Sequence, residues 1–172
     1  MTAFDDLIAQ LDPAMAVVTT VSGGERAGCL IGFHAQCSIE PPRHAVWLSK
    51  ANHTFRVALH AQRFAVHFLS TEDLDTARLF GTNSGDDVDK FSQCAWRPGP
   101  DGVPLLDACP SHLVARRVAM LDEGSDHVCF VLEVTDASTA ASFQPLRLSQ
   151  AQVLDPGHEA AERPKPATER AG

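Results

Sequence analysis

The sequence predicts a mainly β protein, in which many short strands form a closed or partly closed β-barrel and the helices are few and short. Short apolar runs alternate with turn residues along most of the 172-residue chain. Long helices do not separate these runs, and no G-x-G-x-x-G follows the first strand, which disfavours a Rossmann fold. A late strand candidate, residues 126–134, is apolar on both faces, as a strand that is covered on two sides must be.

The chain opens with a predicted helix. Apolar residues recur there at helical spacing: Phe4, Leu7, Ile8 and Leu11. Asp5 and Asp6 favour its first turn, and Pro13 ends it.

The strand candidates follow in order. Residues 14–21 and 26–33 are joined by a turn at 22–25 and predict a hairpin. Further candidates lie at residues 45–48, 64–69, 112–120 and 126–134.

Two short helices are predicted between these strands. Thr54 can cap a helix that continues to about Gln62. Ser70 and Asp73 resemble a capping box of a helix that ends near Gly81.

The last long strand indicates a covered outer surface. Val128, Phe130 and Leu132 line one face, while Cys129 and Val131 make the other face apolar as well. In a small barrel one face packs in the interior and the other needs a helix or a second subunit, so we expect a homodimer.

Charge and composition exclude several function classes. The net charge of −8 and the lack of a basic block argue against nucleic acid or an anionic membrane as a partner. No apolar run approaches the ~20 residues of a membrane span. The first twelve residues lack the pattern of a secretory signal, so a cytoplasmic location is expected. The five cysteines form no C-x-x-C pair and the eight histidines are scattered, so neither disulfides nor a metal site are predicted.

Composition also divides the chain. Large apolar residues disappear after Asp155, where Pro, Glu, Ala and Lys dominate. We therefore expect one barrel domain over residues 1–154 and a flexible C-terminal tail over residues 155–172.

Two polar segments are candidates for chemistry. Residues 34–38 are polar where a barrel strand should be apolar, and residues 49–54 combine a cation with hydroxyls, an amide and a helix start. Lys50 would supply charge to a phosphate, and Asn52 and the hydroxyls would supply hydrogen-bond donors. The same residues also fit a solvated turn followed by an ordinary helix cap, and the pattern alone leaves both interpretations open.

A set of short motifs resembles the flavin reductase-like family of FMN-binding split barrels. In chain order the motifs are Met15-Ala16-Val17-Val18-Thr19-Thr20, the segment from Gly28 to Pro42, Ser49-Lys50 with Asn52 and Thr54, Phe64-Ala65-Val66, Leu79-Phe80-Gly81, Asp89-Lys90-Phe91, Gly102-Val103-Pro104-Leu105, Asp126-His127 with Glu133-Val134, and Pro145-Leu146. No single motif is specific, but their order matches the family over roughly residues 8–150. The resemblance implies a split β-barrel of Greek-key type and a homodimer whose flavin cleft both subunits line.

The resemblance also implies site residues. Those expected to bind the cofactor are Leu30, Ile31, Gly32 and Phe33 beside the isoalloxazine, Gln36 and Ser38 near its polar edge, Ser49, Lys50, Asn52 and Thr54 at the phosphate and ribityl chain, and Lys90 and Phe91 closing over it. His127 is the expected catalytic residue, in contact with the nicotinamide. His34 is left with two alternatives, contact with the flavin or with the partner subunit.

Two departures from the family pattern concern this site. Leu30-Ile31-Gly32-Phe33 stands where relatives carry a Thr-Ala-Ser-Ser-like run, so three hydroxyl donors are absent. The Gly-Asp-His of the family is interrupted by Ser125. Backbone N–H groups with Gln36 and Ser38 would have to replace the hydroxyls, or the bound cofactor differs.

The implied function is an NAD(P)H-dependent reductase that transfers a hydride from NADH or NADPH to FMN or FAD and supplies reduced flavin to a monooxygenase. Two alternatives remain at this point: an electron carrier that holds FMN without turning over free flavin, and a split barrel that binds haem or a deazaflavin.

Overall fold

A seven-stranded antiparallel sheet dominates the computed structural model, which describes residues 2–140, 142–152 and 154. The elements of the described chain are α1 (Ala3–Leu11), β1 (Ala16–Ser22), β2 (Glu25–Ile31), β3 (His34–Ser38), β4 (Arg43–Ser49), α2 (His53–Ala58), β5 (Arg63–Phe68), α3 (Leu74–Thr82), β6 (Trp96–Pro98), β7 (Pro104–Leu106), β8 (His112–Leu121), β9 (His127–Ser138) and α4 (Leu148–Ala151). The predicted tail, 155–172, lies outside the described residues. The mainly β split-barrel class is confirmed.

The strand order is β2-β1-β5-β8-β9-β4-β3, so the two strands at the ends of the sheet, β2 and β3, are consecutive in the chain. Their connection through Gly32 and Phe33 requires the sheet to curl on itself. His34 of β3 helps to close the seam, since its Nε2 lies 2.9 Å from the carbonyl oxygen of Ala14. The His34 ring also contacts Phe68 at the end of β5.

The barrel interior is filled from both halves of the sheet. Val46 and Leu48 of β4 lie opposite Phe130 and Val128 of β9, and all four are buried. Phe64 contacts Phe130 from the other side, with ring centroids 5.7 Å apart. This face of β9 is therefore the inner one, as the alternation along the strand predicts.

A second layer packs outside β2. Phe80 of α3 lies against Gly28, where a Cβ atom would approach the Phe80 ring to 2.8 Å. Phe91 stacks edge-on against Phe80 and Trp96. This layer holds α3 close to the strand that leads into Gly32.

Helices and strands differ from the sequence predictions at their ends. Asn52, rather than Thr54, caps α2, because its side chain accepts a hydrogen bond from the Thr54 N–H at 2.9 Å. The same helix ends at Ala58 instead of about Gln62. The predicted strand 26–33 is split, since β2 ends at Ile31 and β3 begins at His34.

All five cysteines are free thiols in the structure. Among the described residues, no helix has the length and apolarity needed to cross a membrane.

Candidate active site

A cavity of about 260 Å³ lies where β2 ends, beside the β4 end and the β9 start. It is lined by Met15, Cys29, Leu30, Ile31, Gly32, Phe33, Trp47, Ser49, Asn52, His127 and Leu148. The structure thus brings together the predicted residues 30–33 with Ser49, Asn52 and His127, which come from three separate stretches of the chain.

Strand register explains this convergence. Ser49 and His127 lie opposite each other at the end of the β4–β9 pair. The Trp47 N–H donates to the Phe33 carbonyl at 3.0 Å, which ties the β2–β3 connection to the same end. The Phe33 and His127 rings consequently meet at a centroid distance of 5.0 Å with a tilt of 58°.

His127 is oriented by its neighbour Asp126. The His127 Nδ1 lies 3.0 Å from Asp126 Oδ1, and this hydrogen bond lowers the pKa of the Asp126 carboxyl. With Nδ1 as the donor, Nε2 carries the lone pair and can accept a hydrogen bond. The Lys50 N–H donates to the Asp126 carbonyl at 2.9 Å, so the turn before β9 is fastened to the loop after β4.

The polar loop 49–54 is held by its own hydrogen bonds. Ser49 Oγ accepts from the Ala51 N–H at 3.3 Å, and Ser49 and Asn52 both reach the cavity. Thr54 is buried in the first turn of α2 and is not among the lining residues. Lys50 points away from the lining residues and pairs with Asp122, with Nζ and Oδ1 2.8 Å apart.

Besides Lys50 and Thr54, four further predicted residues do not line this cavity. Gln36 and Ser38 lie on the edge strand β3, where the Gln36 amide donates to the Ser38 carbonyl at 3.2 Å. Lys90 is only 4% exposed and donates to the carbonyls of Gly28 and Phe80, at 3.0 and 3.1 Å. Phe91 belongs to the second layer beside it.

Burial lowers the pKa of the Lys90 ammonium. With two backbone carbonyls as its partners, Lys90 fastens the loop before it to β2 and α3. Together with Phe91 it borders a different cavity, of about 350 Å³, on the outer side of β2.

His34 is held by contacts within its own chain. Its Nδ1 lies 3.1 Å from Nε2 of His44, and its Nε2 bonds the Ala14 carbonyl. Burial lowers the pKa of both histidines, that of His44 to about 4.

Sequence reasoning missed several lining residues. Trp47 lies two positions before Ser49 and therefore on the same face of β4, which is a usable signal. Met15 and Leu148 come from distant parts of the chain, where nothing local indicates a shared site.

An antiparallel split barrel with a cavity of this make-up defines the class of protein, a small FMN-binding-type barrel. A family model described as "Flavin reductase like domain" matches residues 10–153. The chain belongs to this family.

Two relatives and one solved structure illustrate the similarity. The reductase subunit HsaB of a flavin-dependent monooxygenase from Mycobacterium tuberculosis is 25% identical over 142 residues, which cover 83% of this chain and 74% of that protein. An NADH-dependent FAD reductase from Streptomyces globisporus is 30% identical over 128 residues, covering 73% and 70%. The crystal structure of an FMN-binding protein from Thermus thermophilus with bound 1-cyclohex-2-enone matches with a TM-score of 0.68 and 27% identity, covering 73% of this chain and 70% of that chain.

Proposed function

We propose that this chain is an NAD(P)H:flavin oxidoreductase, in which a hydride passes from NADH or NADPH to FMN or FAD. The observation that carries the proposal is the convergence of residues 30–33, Ser49, Asn52 and His127 on one cavity in a chain of the flavin reductase family.

The chemistry of the cavity suits a flavin. Ile31, Phe33 and Trp47 offer flat or branched apolar walls to a tricyclic ring, and Ser49 and Asn52 offer polar groups at one side. A volume of about 260 Å³ accommodates part of such a molecule, so the ribityl chain and phosphate would extend along the loop 49–54.

Backbone groups take the place of the absent hydroxyls in this proposal. Main-chain N–H groups of residues 30–33, which line the cavity, would contact the ring in this proposal, and Gly32 has no side chain to block its approach. Backbone N–H groups aimed at the ring would also stabilise negative charge on its pyrimidine edge during reduction.

His127 would orient the nicotinamide. Its ring faces the cavity beside Phe33, and Asp126 holds Nδ1, so Nε2 is the atom available to the carboxamide amide group. When bound, the flavin and the nicotinamide supply the redox chemistry. The role of the chain is to hold the two rings at reacting distance. This lowers the activation free energy, because the translational and rotational entropy is already lost on binding.

A homodimer is the proposed assembly. The outer face of the sheet carries apolar side chains on four neighbouring strands: Phe33, Ala35, Trp47, Ala119, Leu121 and Val131. Phe33 and Leu121 are 54% and 53% exposed. His127 and Trp47 lie on the same face, so the apolar surface is continuous with the cavity, which supports a cleft that both subunits line.

Supply of reduced flavin to a monooxygenase in the cytoplasm is the proposed setting. The relative from M. tuberculosis is the reductase subunit of such a monooxygenase, which supports this kind of partner.

Anaerobic mixing with NADH or NADPH and each flavin tests the proposal. We expect the oxidised-flavin absorbance to disappear at catalytic protein concentration. Yellow colour that stays with the protein through gel filtration, without turnover of added flavin, would instead support an electron carrier. A Soret band in the purified protein would support a haem site.

A further inference from the structure

The Lys50–Asp122 ion pair joins the loop proposed to hold the flavin phosphate to the turn between β8 and β9. Lys50 Nζ lies 2.8 Å from Asp122 Oδ1, and the side chains are 32% and 44% exposed. The cation that a phosphate would use is therefore already engaged by a carboxylate from elsewhere in the chain.

Asp122 is held in this position by a second contact. Its Oδ1 also accepts the Gly124 N–H at 2.9 Å. Both contacts favour the ionised carboxylate and lower the pKa of Asp122. A phosphate that approached Lys50 would meet this negative charge at close range.

The surrounding charge adds to the effect. The turn carries three carboxylates, Asp122, Glu123 and Asp126, whereas Lys50 is the cation paired with it. Asp126 is engaged by His127, and Asp122 rather than its neighbour Glu123 makes the contact with Lys50. The negative charge of the turn therefore disfavours a dianionic phosphate at this position unless the Lys50–Asp122 ion pair breaks.

We propose that Asp122 is a specificity-determining residue of the flavin site, which competes with the flavin phosphate for Lys50 and lowers the preference for phosphorylated flavins over riboflavin. The proposal rests on the proposed function, since it assumes a flavin in the cavity beside Ser49 and Asn52. It also gives the site a property that a reductase needs when flavin is a substrate: the phosphate is held weakly enough to leave.

Exchange of partners at Lys50 is energetically accessible. A solvent-exposed ion pair is weak, so a phosphate can displace a carboxylate from it. Removing the competitor should therefore strengthen FMN binding by a measurable but modest factor.

Asp122→Asn is the test substitution, because the amide oxygen can still accept the Gly124 N–H while the charge is lost. We expect FMN to bind about two- to fivefold more tightly, from the loss of one exposed competing charge, with riboflavin affinity unchanged. The difference should shrink at high salt, which screens exposed charges. Fluorescence titration of each flavin measures these affinities.

Two further variants isolate the mechanism. Glu123→Gln removes the same charge from the neighbouring position and should leave the FMN-to-riboflavin ratio unchanged. In a Lys50→Ala background, Asp122→Asn should no longer strengthen FMN binding by that factor, because there is no ammonium group to compete for.

Equal shifts for FMN and riboflavin, or an equal effect of Glu123→Gln, would overturn the proposal, since either indicates a general charge effect. Unchanged FMN affinity in Asp122→Asn would overturn it as well, while leaving the reductase function standing if the parent protein reduces flavin. A parent protein that binds neither flavin would instead refute the proposed function.

Discussion

His67 is a polar residue whose role is structural, because both of its ring nitrogens bond backbone groups in the interior. It is fully buried, accepts the Leu106 N–H at Nε2 at 3.1 Å, and therefore donates from Nδ1 to the Val17 carbonyl at 3.2 Å. Burial lowers its pKa to about 3. Residue type alone does not distinguish this histidine from His127. The family resemblance indicates His127, and the fold shows that His127 lines the cavity while His67 lies in the interior.

Acid should destabilise the protein through His67. The pKa is lower in the folded state than the ~6.5 of an unfolded histidine, so the unfolded chain binds more protons between these values. The stabilisation is complete above about pH 6.5 and falls by up to ~1.4 kcal/mol per pH unit as the pH drops towards 3. Urea unfolding at a series of pH values measures this slope.

Two variants test whether His67 causes this pH dependence of the unfolding free energy. His67→Gln should be less stable at pH 7 but show a shallower loss towards acid, because the titrating group is gone. His60→Gln, at an exposed position, should keep the parent slope. Equal slopes in all three proteins would contradict the assignment.

Lys50 offers a second prediction for a single residue. Lys50→Ala should weaken FMN binding about tenfold or more, from the loss of a charge-assisted contact of ~1.4 kcal/mol or above, with little change in apo stability. Riboflavin lacks the phosphate, so its affinity should hardly respond. Titration of both flavins decides, and equal weakening would show that Lys50 is no phosphate ligand.

At the scale of elements, the contact between β2 and α3 positions the cavity wall. Gly28 allows the Phe80 ring to pack directly on the strand, and Gly81 does the same for Leu30, which lines the cavity. A Cβ at Gly28 would meet both Phe80 and the Val18 carbonyl, at 2.8 and 3.1 Å. The Phe80 ring is buried against Phe91, and the Val18 carbonyl belongs to the backbone of β1.

Gly28→Ala should therefore destabilise the protein by ~1–3 kcal/mol, the usual range for overpacking a filled core. Gly32→Ala is the matched control, because its Cβ would find Met15 at an ordinary 3.5 Å. Thermal unfolding of both variants tests the difference. If Gly32→Ala lost as much stability as Gly28→Ala, crowding against Phe80 would not be the cause.

Elements differ in how far the sequence predicts them. Apolar runs bounded by turn residues identify β5, β8 and β9, because each has at least one face in the core. β3 is obscured, since an edge strand with exposed side chains has a polar composition, and its identity depends on pairing with β4. The predicted N-cap of α2, Thr54, lies two residues after the observed one, Asn52, because both residue types are good N-caps.

At the scale of the whole molecule, local sequence predicts only part of the site. The polar stretch 49–54 carries its own signal and supplies Ser49 and Asn52, whereas residues 30–33 and His127 are indicated by the family resemblance. Met15 and Leu148 join the cavity only through the closed barrel. Because β9 is apolar on both faces, its sequence predicts an apolar outer surface, and Val131 and Cys129 lie on that surface.

The dimer proposal can be tested on that surface. In β8, Leu121 lies opposite Cys129 on the outer face, while Met120 lies opposite Phe130 on the other face. Leu121→Glu should dissociate the dimer at micromolar concentration, because a charge in an apolar interface loses hydration without gaining a partner. Met120→Glu places the same charge on the opposite face and should leave the dimer intact. Sedimentation velocity distinguishes the outcomes, and a parent protein that is monomeric would contradict the proposal.

The pairing of β4 with β9 has a consequence for how the chain is made. Val46 meets Phe130, with about half of the chain between them. Loop-closure entropy opposes such distant pairing until the intervening strands are formed, and folds with many such contacts fold slowly. On the ribosome, β4 must therefore wait with Val46 and Leu48 uncovered until the β8–β9 hairpin has emerged, which makes this interval the period when a nascent chain is most exposed to aggregation.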